Sequence, residues 1–179
     1  PKTTLEDSTL IQACKNNSLR AQMQVYQLHK DMMYNASYRI LGDSEDAQDT
    51  VHDAFIKAFK AMGNVEDNLN LGAWLRRIVV NCSLDFLKKH KRIVRWDMSI
   101  DVEDEDEREA MEEITLKVEE VKRAINRLNE RSRITLVLYL IEDYTHKEIA
   151  QQLGLKESTV RNQYRRGKLQ LQRELNVIH

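Results

Sequence analysis

The sequence predicts an all-α protein of two small helical domains joined by an acidic linker, and three observations predict it. Pro occurs once, at position 1, so no internal Pro interrupts a helix. Ala, Leu, Glu, Lys, Arg and Gln are abundant, and nothing in the composition favours strands. Apolar residues recur at helical spacing on both sides of one strongly acidic stretch. The 179 residues suffice for one domain or two small ones, and 41% hydrophobic with 32% charged residues is a soluble, globular composition.

Asp7 or Ser8 can cap a first helix carrying Leu10, Ile11 and Cys14, interrupted at Asn16 and Asn17. Ser18 can start a longer helix through Val25, Tyr26, Met33, Ala36, Ile40 and Leu41, stopped by Gly42. Met32 and Met33 read as adaptable core filling. In residues 43–63, Ala47, Val51, Ala54, Phe55, Ala58, Phe59 and Met62 define a buried helical stripe. Glu45, Asp46 and Asp49 suit the first turns, where the helix dipole favours anions. Asp49, His52, Asp53 and Lys57 share the opposite, polar face. Solvation accounts for that face as well as a protein-binding role does.

Residues 64–71 read as a loop, with Asn64, Asn68 and Asn70 and no periodicity. An amphipathic helix follows over residues 73–92. Trp74, Leu75, Ile78, Cys82 and Phe86 are expected to face inward, leaving Arg76, Arg77, Asn81, Lys88, Lys89, Lys91 and Arg92 for solvent or phosphate. An Asn-rich loop before a basic helix suits single-stranded nucleic acid, because a base can enter the loop while Lys and Arg follow the backbone. A basic helix lying on a membrane is the alternative, weakened by its place inside a bundle. Trp74 reads as a core residue first and a stacking platform second.

Residues 97–113 hold ten acidic side chains and one Arg, so this stretch reads as a linker and a domain boundary. Beyond it, Ile114, Leu116, Val118, Val121, Ile125 and Leu128 resume the helical pattern. A second apolar run from Ile134 to Ile141 is expected to pack beneath the residues that follow, giving a four-helix unit.

Residues 144–175 carry the strongest motif. Thr145 followed by Glu148 is a capping box, Ile149, Ala150 and Leu153 form one apolar face, and Gly154 ends the helix. A second helix continues with Leu155, Val160, Tyr164, Leu169 and Leu171, and its other face shows Ser158, Arg161, Asn162, Arg165 and Arg166. That is the pattern of a DNA-binding helix-turn-helix. A helical hairpin with a solvated basic face is the plainer reading of the same residues.

The net charge of −1 hides two basic regions, +6 over residues 74–95 and +4 over residues 144–179, flanking the acidic stretch of −9. Cys14 and Cys82 lie far apart among apolar residues and read as small buried thiols, with neither a disulfide nor a metal site expected. His29, His52, His90, His146 and His179 are not spaced with a nucleophile or metal partner, and there is no phosphate-cradling Gly loop, so no enzyme and no cofactor are expected. No apolar run approaches the roughly 20 residues of a membrane span and no signal-peptide pattern is present, so a cytoplasmic protein without membrane insertion is expected.

The order of a helical bundle, EDAQDTVHDAFIKAF, a loop, AWLRRIVVNCSLDFLKK, an acidic linker and a helix-turn-helix resembles the extracytoplasmic-function (group four) sigma factors of bacterial RNA polymerase. The resemblance covers residues 5–175. It implies region two over residues 1–95, a linker over 96–113 and region four over 114–179. Asp49, His52, Asp53 and Lys57 would dock on the clamp helices of the polymerase β′ subunit. Asn64, Asn68, Asn70, Trp74, Arg76, Arg77, Asn81, Lys88 and Lys89 would melt and hold the minus-ten promoter element. Lys156, Ser158, Thr159, Arg161, Asn162, Arg165 and Arg166 would read the minus-thirty-five element, while region four also meets the β flap. The linker would thread the polymerase toward the RNA exit channel. Core RNA polymerase and promoter DNA are therefore the implied partners, with an anti-sigma factor as an optional third. Two departures stand out: Leu128-Asn129 where the family usually has Leu-Pro, and Lys156 where it often has a capping Ser. The residues alone also admit a one-component DNA-binding regulator, or a helical adaptor without DNA.

Overall fold

The computed structural model describes residues 5–90 and 118–178, all of whose regular structure is helical. The acidic stretch, the remainder of the 96–113 linker, Lys91, Arg92, Ile114 and Leu116 lie outside the described residues. Backbone contacts divide the chain into two compact units, Pro1–Leu87 and Lys88–His179.

Unit one begins with α1 (Leu5–Lys15). Asn17 ends it in the left-handed conformation at φ 60°, which Asn tolerates because its short side chain bonds locally. Ser18 then accepts from the Ala21 N–H at 3.2 Å and caps α2 (Leu19–Leu41), as expected. Asp7, by contrast, does not cap its own helix. It sits inside α1 and accepts from the Leu71 N–H at 3.3 Å, capping a helix 64 residues away.

Gly42 stops α2 at φ 72°, and Asp43 accepts from the Glu45 and Asp46 N–H groups to start α3 (Ser44–Ala61). A short 3-10 turn, Met62–Asn64, leads into the loop before α4 (Leu71–Lys89). The expected α3 stripe is buried except Phe59, which is half-buried and stacks on Phe55 at 5.9 Å. Tyr26 of α2 meets Phe55 at 4.9 Å, locking α2 onto α3. Val25, Met33, Ala36 and Ile40 are fully buried, and each of the larger ones contributes about 1.5–3 kcal/mol.

The expected inner face of α4 requires correction. Leu75 and Cys82 are buried, but Trp74, Ile78 and Phe86 are half-buried, and Val79, Val80, Ser83, Leu84 and Leu87 hold the core instead. The helix is covered around more than half its circumference, so periodicity alone could not fix its rotation. Buried Ser83 donates to the Val79 carbonyl at 2.8 Å, so the 2.9 Å contact with Ser37 of α2 has Ser37 as donor. Cys14 and Cys82 are free and buried, and burial pushes both thiols up in pKa, keeping them protonated.

Unit two contains, among the described residues, α5 (Val118–Arg127), α6 (Glu130–Leu136) running on as a π turn (Val137–Ile141), α7 (His146–Leu153) and α8 (Glu157–Ile178). Asn129 caps α6, its side chain accepting from the Ser132 N–H at 3.0 Å. Ile134 through Leu138 are buried as expected, but Tyr139 and Leu140 are 37% and 45% exposed. The π turn adds residues to one helical turn and rotates these two out of the buried row. Val118, expected in the apolar pattern, is 67% exposed at the start of α5. Val160, Gln163, Gly167, Leu171 and Leu175 bury one side of α8. Tyr164 and Leu169, expected on that side, are half-buried.

Candidate nucleic-acid interface

The helix-turn-helix is built by local chemistry. Thr145 and Glu148 form a full capping box, with the Thr145 N–H donating to the Glu148 carboxylate at 2.8 Å and the Glu148 N–H donating to the Thr145 hydroxyl at 3.1 Å. Gly154 turns the chain at φ 67°, its N–H donating to the Ala150 carbonyl. Ile149, Ala150 and Leu153 are buried against α8, so the outer face of α8 is fixed relative to α7.

On that outer face Ser158, Arg161 and Arg165 are exposed, Asn162 and Arg166 are half-buried, and Lys156 is exposed just ahead of the helix. Thr159 does not share that exposure. It is 8% exposed, a position behind Val160 on the packed side of the helix. Arg166 lies at the flank, lining a cleft with Asn129, Arg131 and Gln170. Arg161 donates to the Glu157 carboxylate at 2.6 Å, one turn back. Behind the face, His146 packs against Tyr139 and Tyr164 with ring centroids 4.5 and 5.0 Å away. Burial, and secondarily the Arg161 charge, holds the His146 imidazole below its usual pKa, with Glu157 opposing. Its Nε2 is buried and lacks a hydrogen-bond partner.

In unit one, Asp49, His52, Asp53 and Lys57 are all exposed on α3. Ile56 stands among them at 53% exposure, an apolar centre to a polar face that charge-reading passed over. Asn64 and Asn68 are exposed at the 3-10 turn and in the loop. Asn70 is half-buried, and its side-chain oxygen accepts from the Ala73 N–H at 2.8 Å and caps α4. Along α4, helical spacing puts Trp74, Arg77, Asn81 and Lys88 in one stripe, with exposed Asp85 inside it. Arg76 is half-buried and belongs to the row of Val80, Ser83 and Leu87, away from that stripe, and Lys89 is exposed on its other flank. The structure therefore gathers Trp74, Arg77, Asn81 and Lys88 and separates Arg76 from them. Among the described residues no cluster of His, Cys, Asp and Glu could hold a metal, and no helix is long and apolar enough to cross a membrane.

These two surfaces coincide with two matches to known families. The sigma-70 region 2 family matches residues 25–93, and the sigma-70 region 4 family matches residues 118–171. The chain is 31% identical over 148 residues to the ECF RNA polymerase sigma factor SigE of Mycolicibacterium smegmatis, covering 80% of this chain and 57% of that protein. It is 25% identical over 183 residues to the ECF RNA polymerase sigma factor SigW of Bacillus subtilis, covering 94% of this chain and 96% of that one. The chain belongs to the extracytoplasmic-function sigma factors. A sigma factor directs RNA polymerase to promoters, which is a role in transcription initiation and not in catalysis. The ECF sigma factor SigM of Mycobacterium tuberculosis is 28% identical over 173 residues, covering 97% of this chain and 86% of that protein. Among solved structures, CnrH in complex with the cytosolic domain of CnrY shares the fold, at TM-score 0.53 and 23% identity over 96% of this chain and 98% of CnrH.

Sequence reasoning missed Gly167 in this sigma factor. A Cβ there would meet Leu136 Cγ at 3.2 Å and Ser132 Cβ at 3.3 Å, so Gly167 lets α6 and α8 approach and sets the tilt of α8. An isolated Gly within a helical pattern was the available signal.

Proposed function

We propose that region two of this sigma factor binds core RNA polymerase through α3 and opens the minus-ten element with the 65–70 loop and α4, while region four reads the minus-thirty-five element in the major groove through α8. The observation that carries this reading is the outer face of α8. Arg161, Asn162 and Arg165 are displayed on a helix held from behind by a capped α7 and a Gly turn, the arrangement a recognition helix needs. Arg side chains there can fork onto guanine edges or neutralise phosphates.

Asp49, His52, Asp53 and Lys57 present both signs of charge to the β′ clamp helices, and region four also meets the β flap. The 96–113 linker, between domains taken as 1–95 and 114–179, follows the path toward the RNA exit channel, where acidic side chains replace an RNA backbone. The protein works in the cytoplasm, where its polymerase is. An anti-sigma factor that covers these surfaces is a natural regulator for it.

Reconstitution with core polymerase tests the reading. The chain should co-purify with the core enzyme and direct opening of a promoter. Arg161→Ala and Arg165→Ala should each weaken promoter binding by about 1–3 kcal/mol where the lost contact is to a base edge, and relax sequence preference. Single variants that bind and select promoters as the parent does would remove α8 from the reading.

A further inference from the structure

Two backbone bonds shape the 65–70 loop. The Val65 N–H reaches the Met62 carbonyl at 3.4 Å, and the Leu69 N–H reaches the Glu66 carbonyl at 3.2 Å. α1 reaches it with three side chains. Lys15 Nζ donates to the Val65 carbonyl at 2.5 Å and pairs with the Asp67 carboxylate at 2.7 Å. Gln12, one turn earlier, donates through Nε2 to the other Asp67 oxygen. Asp7 accepts from the Leu71 N–H where the loop enters α4. The tethers thus fall at 65, 67 and 71 and bracket Asn68 and Asn70.

We infer that α1 is a brace for the promoter-reading loop, and that Lys15 and Gln12 are positioning residues for base selection at the minus-ten element. This rests on the reading that the loop takes an unstacked base. A loop amide selects a base only if its donor and acceptor are held where the base edge arrives, and ordering it beforehand removes that cost from binding. Lys15 and Asp67 are part-exposed, at 23% and 49% for their side chains, and such a pair adds little to global stability. Its loss should therefore leave the bundle folded while releasing the loop.

The test uses holoenzyme reconstituted from core polymerase and the full chain, with promoters differing at single minus-ten bases, and permanganate reactivity to report opening. Lys15→Ala and Asp67→Ala should each lower the ratio of preferred to disfavoured promoter opening about fivefold, the scale of one lost hydrogen bond. The double variant should be worse than either single but by less than the two effects combined, because the residues share one ion pair while Lys15–Val65 and Gln12–Asp67 each survive one of the single changes. Lys15→Arg should restore most of the ratio, which a role in folding alone does not require. Polymerase binding and helix content should match the parent, and if Lys15→Ala loses helix content, the exposed Asp67→Ala decides. Unchanged selection in both single variants, with selection lost in Asn68→Ala, would overturn the brace and leave the loop as reader. Unchanged selection in Asn68→Ala as well would overturn the reading of the loop, and the brace with it.

Discussion

Arg161 and Glu157 are joined at 2.6 Å across one turn of α8, on the face that the helix-turn-helix displays. Both side chains are substantially exposed, at 65% and 42%, so the pair is worth only a few tenths of a kcal/mol. The base or phosphate contact proposed for Arg161 would outweigh it, so Arg161 should leave Glu157 when promoter DNA arrives. Glu157 then remains as an anion facing phosphates. Glu157→Gln should tighten promoter binding by holoenzyme by about 1 kcal/mol, most visibly at low salt. Equilibrium titration across a salt series measures it, and weaker binding by the variant would show that Glu157 aims Arg161 at its target.

Gly167 gives a prediction in which two effects oppose. Ala in place of a helical Gly gains about 1 kcal/mol of propensity. The added Cβ, however, meets Ser132 Cβ and Leu136 Cγ at 3.3 and 3.2 Å, and a Cβ on a neighbouring helix moves only with its backbone. Overpacking of this kind costs about 1–3 kcal/mol. Gly167→Ala should therefore destabilise unit two, seen as faster amide exchange in α6 and α8, with exchange in α2 and α3 unchanged. Slower exchange in α6 and α8 would mean the interface yields.

His146 makes unit two sensitive to acid. It opens α7, where the helix dipole disfavours an imidazolium, and it faces Tyr139, Tyr164 and Arg161, with Glu157 as the opposing charge. Its folded pKa lies below the unfolded value, so the unfolded chain binds the proton first as pH falls. The contribution to stability is complete above about pH 6.5, the unfolded value, and is lost on acidification toward the lower folded pKa. Denaturant midpoints reported by amide exchange in α7 should fall between about pH 7 and 5 in the parent. His146→Phe keeps the aromatic packing and should flatten that slope. An equal slope in both proteins would assign it to another group.

The proposed roles of the loop and α4 in promoter opening differ, and separate variants resolve them. Asn68→Ala should change which minus-ten sequences open, because an amide can read a base edge. Lys88→Ala with Lys89→Ala should weaken opening of all promoters, more so as salt rises, through lost phosphate contacts. Asn70→Ala should act differently from Asn68→Ala, lowering the stability of α4 by about 0.5–2 kcal/mol through loss of its cap. Permanganate footprinting and thermal unfolding together distinguish the three, and one shared effect on all promoters would make the loop a simple connection.

Much of this protein was written locally in its sequence. Ser18, Gly42, Thr145 with Glu148, and Gly154 mark helix ends through bonds to residues three or four positions away, so each was legible without a fold. The α3 stripe was legible because its polar and apolar residues alternate cleanly at helical spacing. The helix-turn-helix was legible for both reasons, and its Arg face followed.

Tertiary structure decided what depends on a distant neighbour. Asp7 could have capped α1, but only the fold brings it to the N–H of Leu71. Asn70 carries the same amide as Asn68, yet the start of α4 claims one for a cap and leaves the other exposed. Residues 74–87 are apolar at so many positions that several rotations fit, and only packing chose Val79, Val80, Ser83, Leu84 and Leu87 as core. Thr159 and Arg161 lie two residues apart in the stretch expected to read DNA, but only packing buries Thr159 beside Val160 and leaves Arg161 exposed. The tether from Lys15 to Asp67 spans 52 residues. No periodicity reports a bond of that kind, because nothing in the local chain depends on it until the two segments meet.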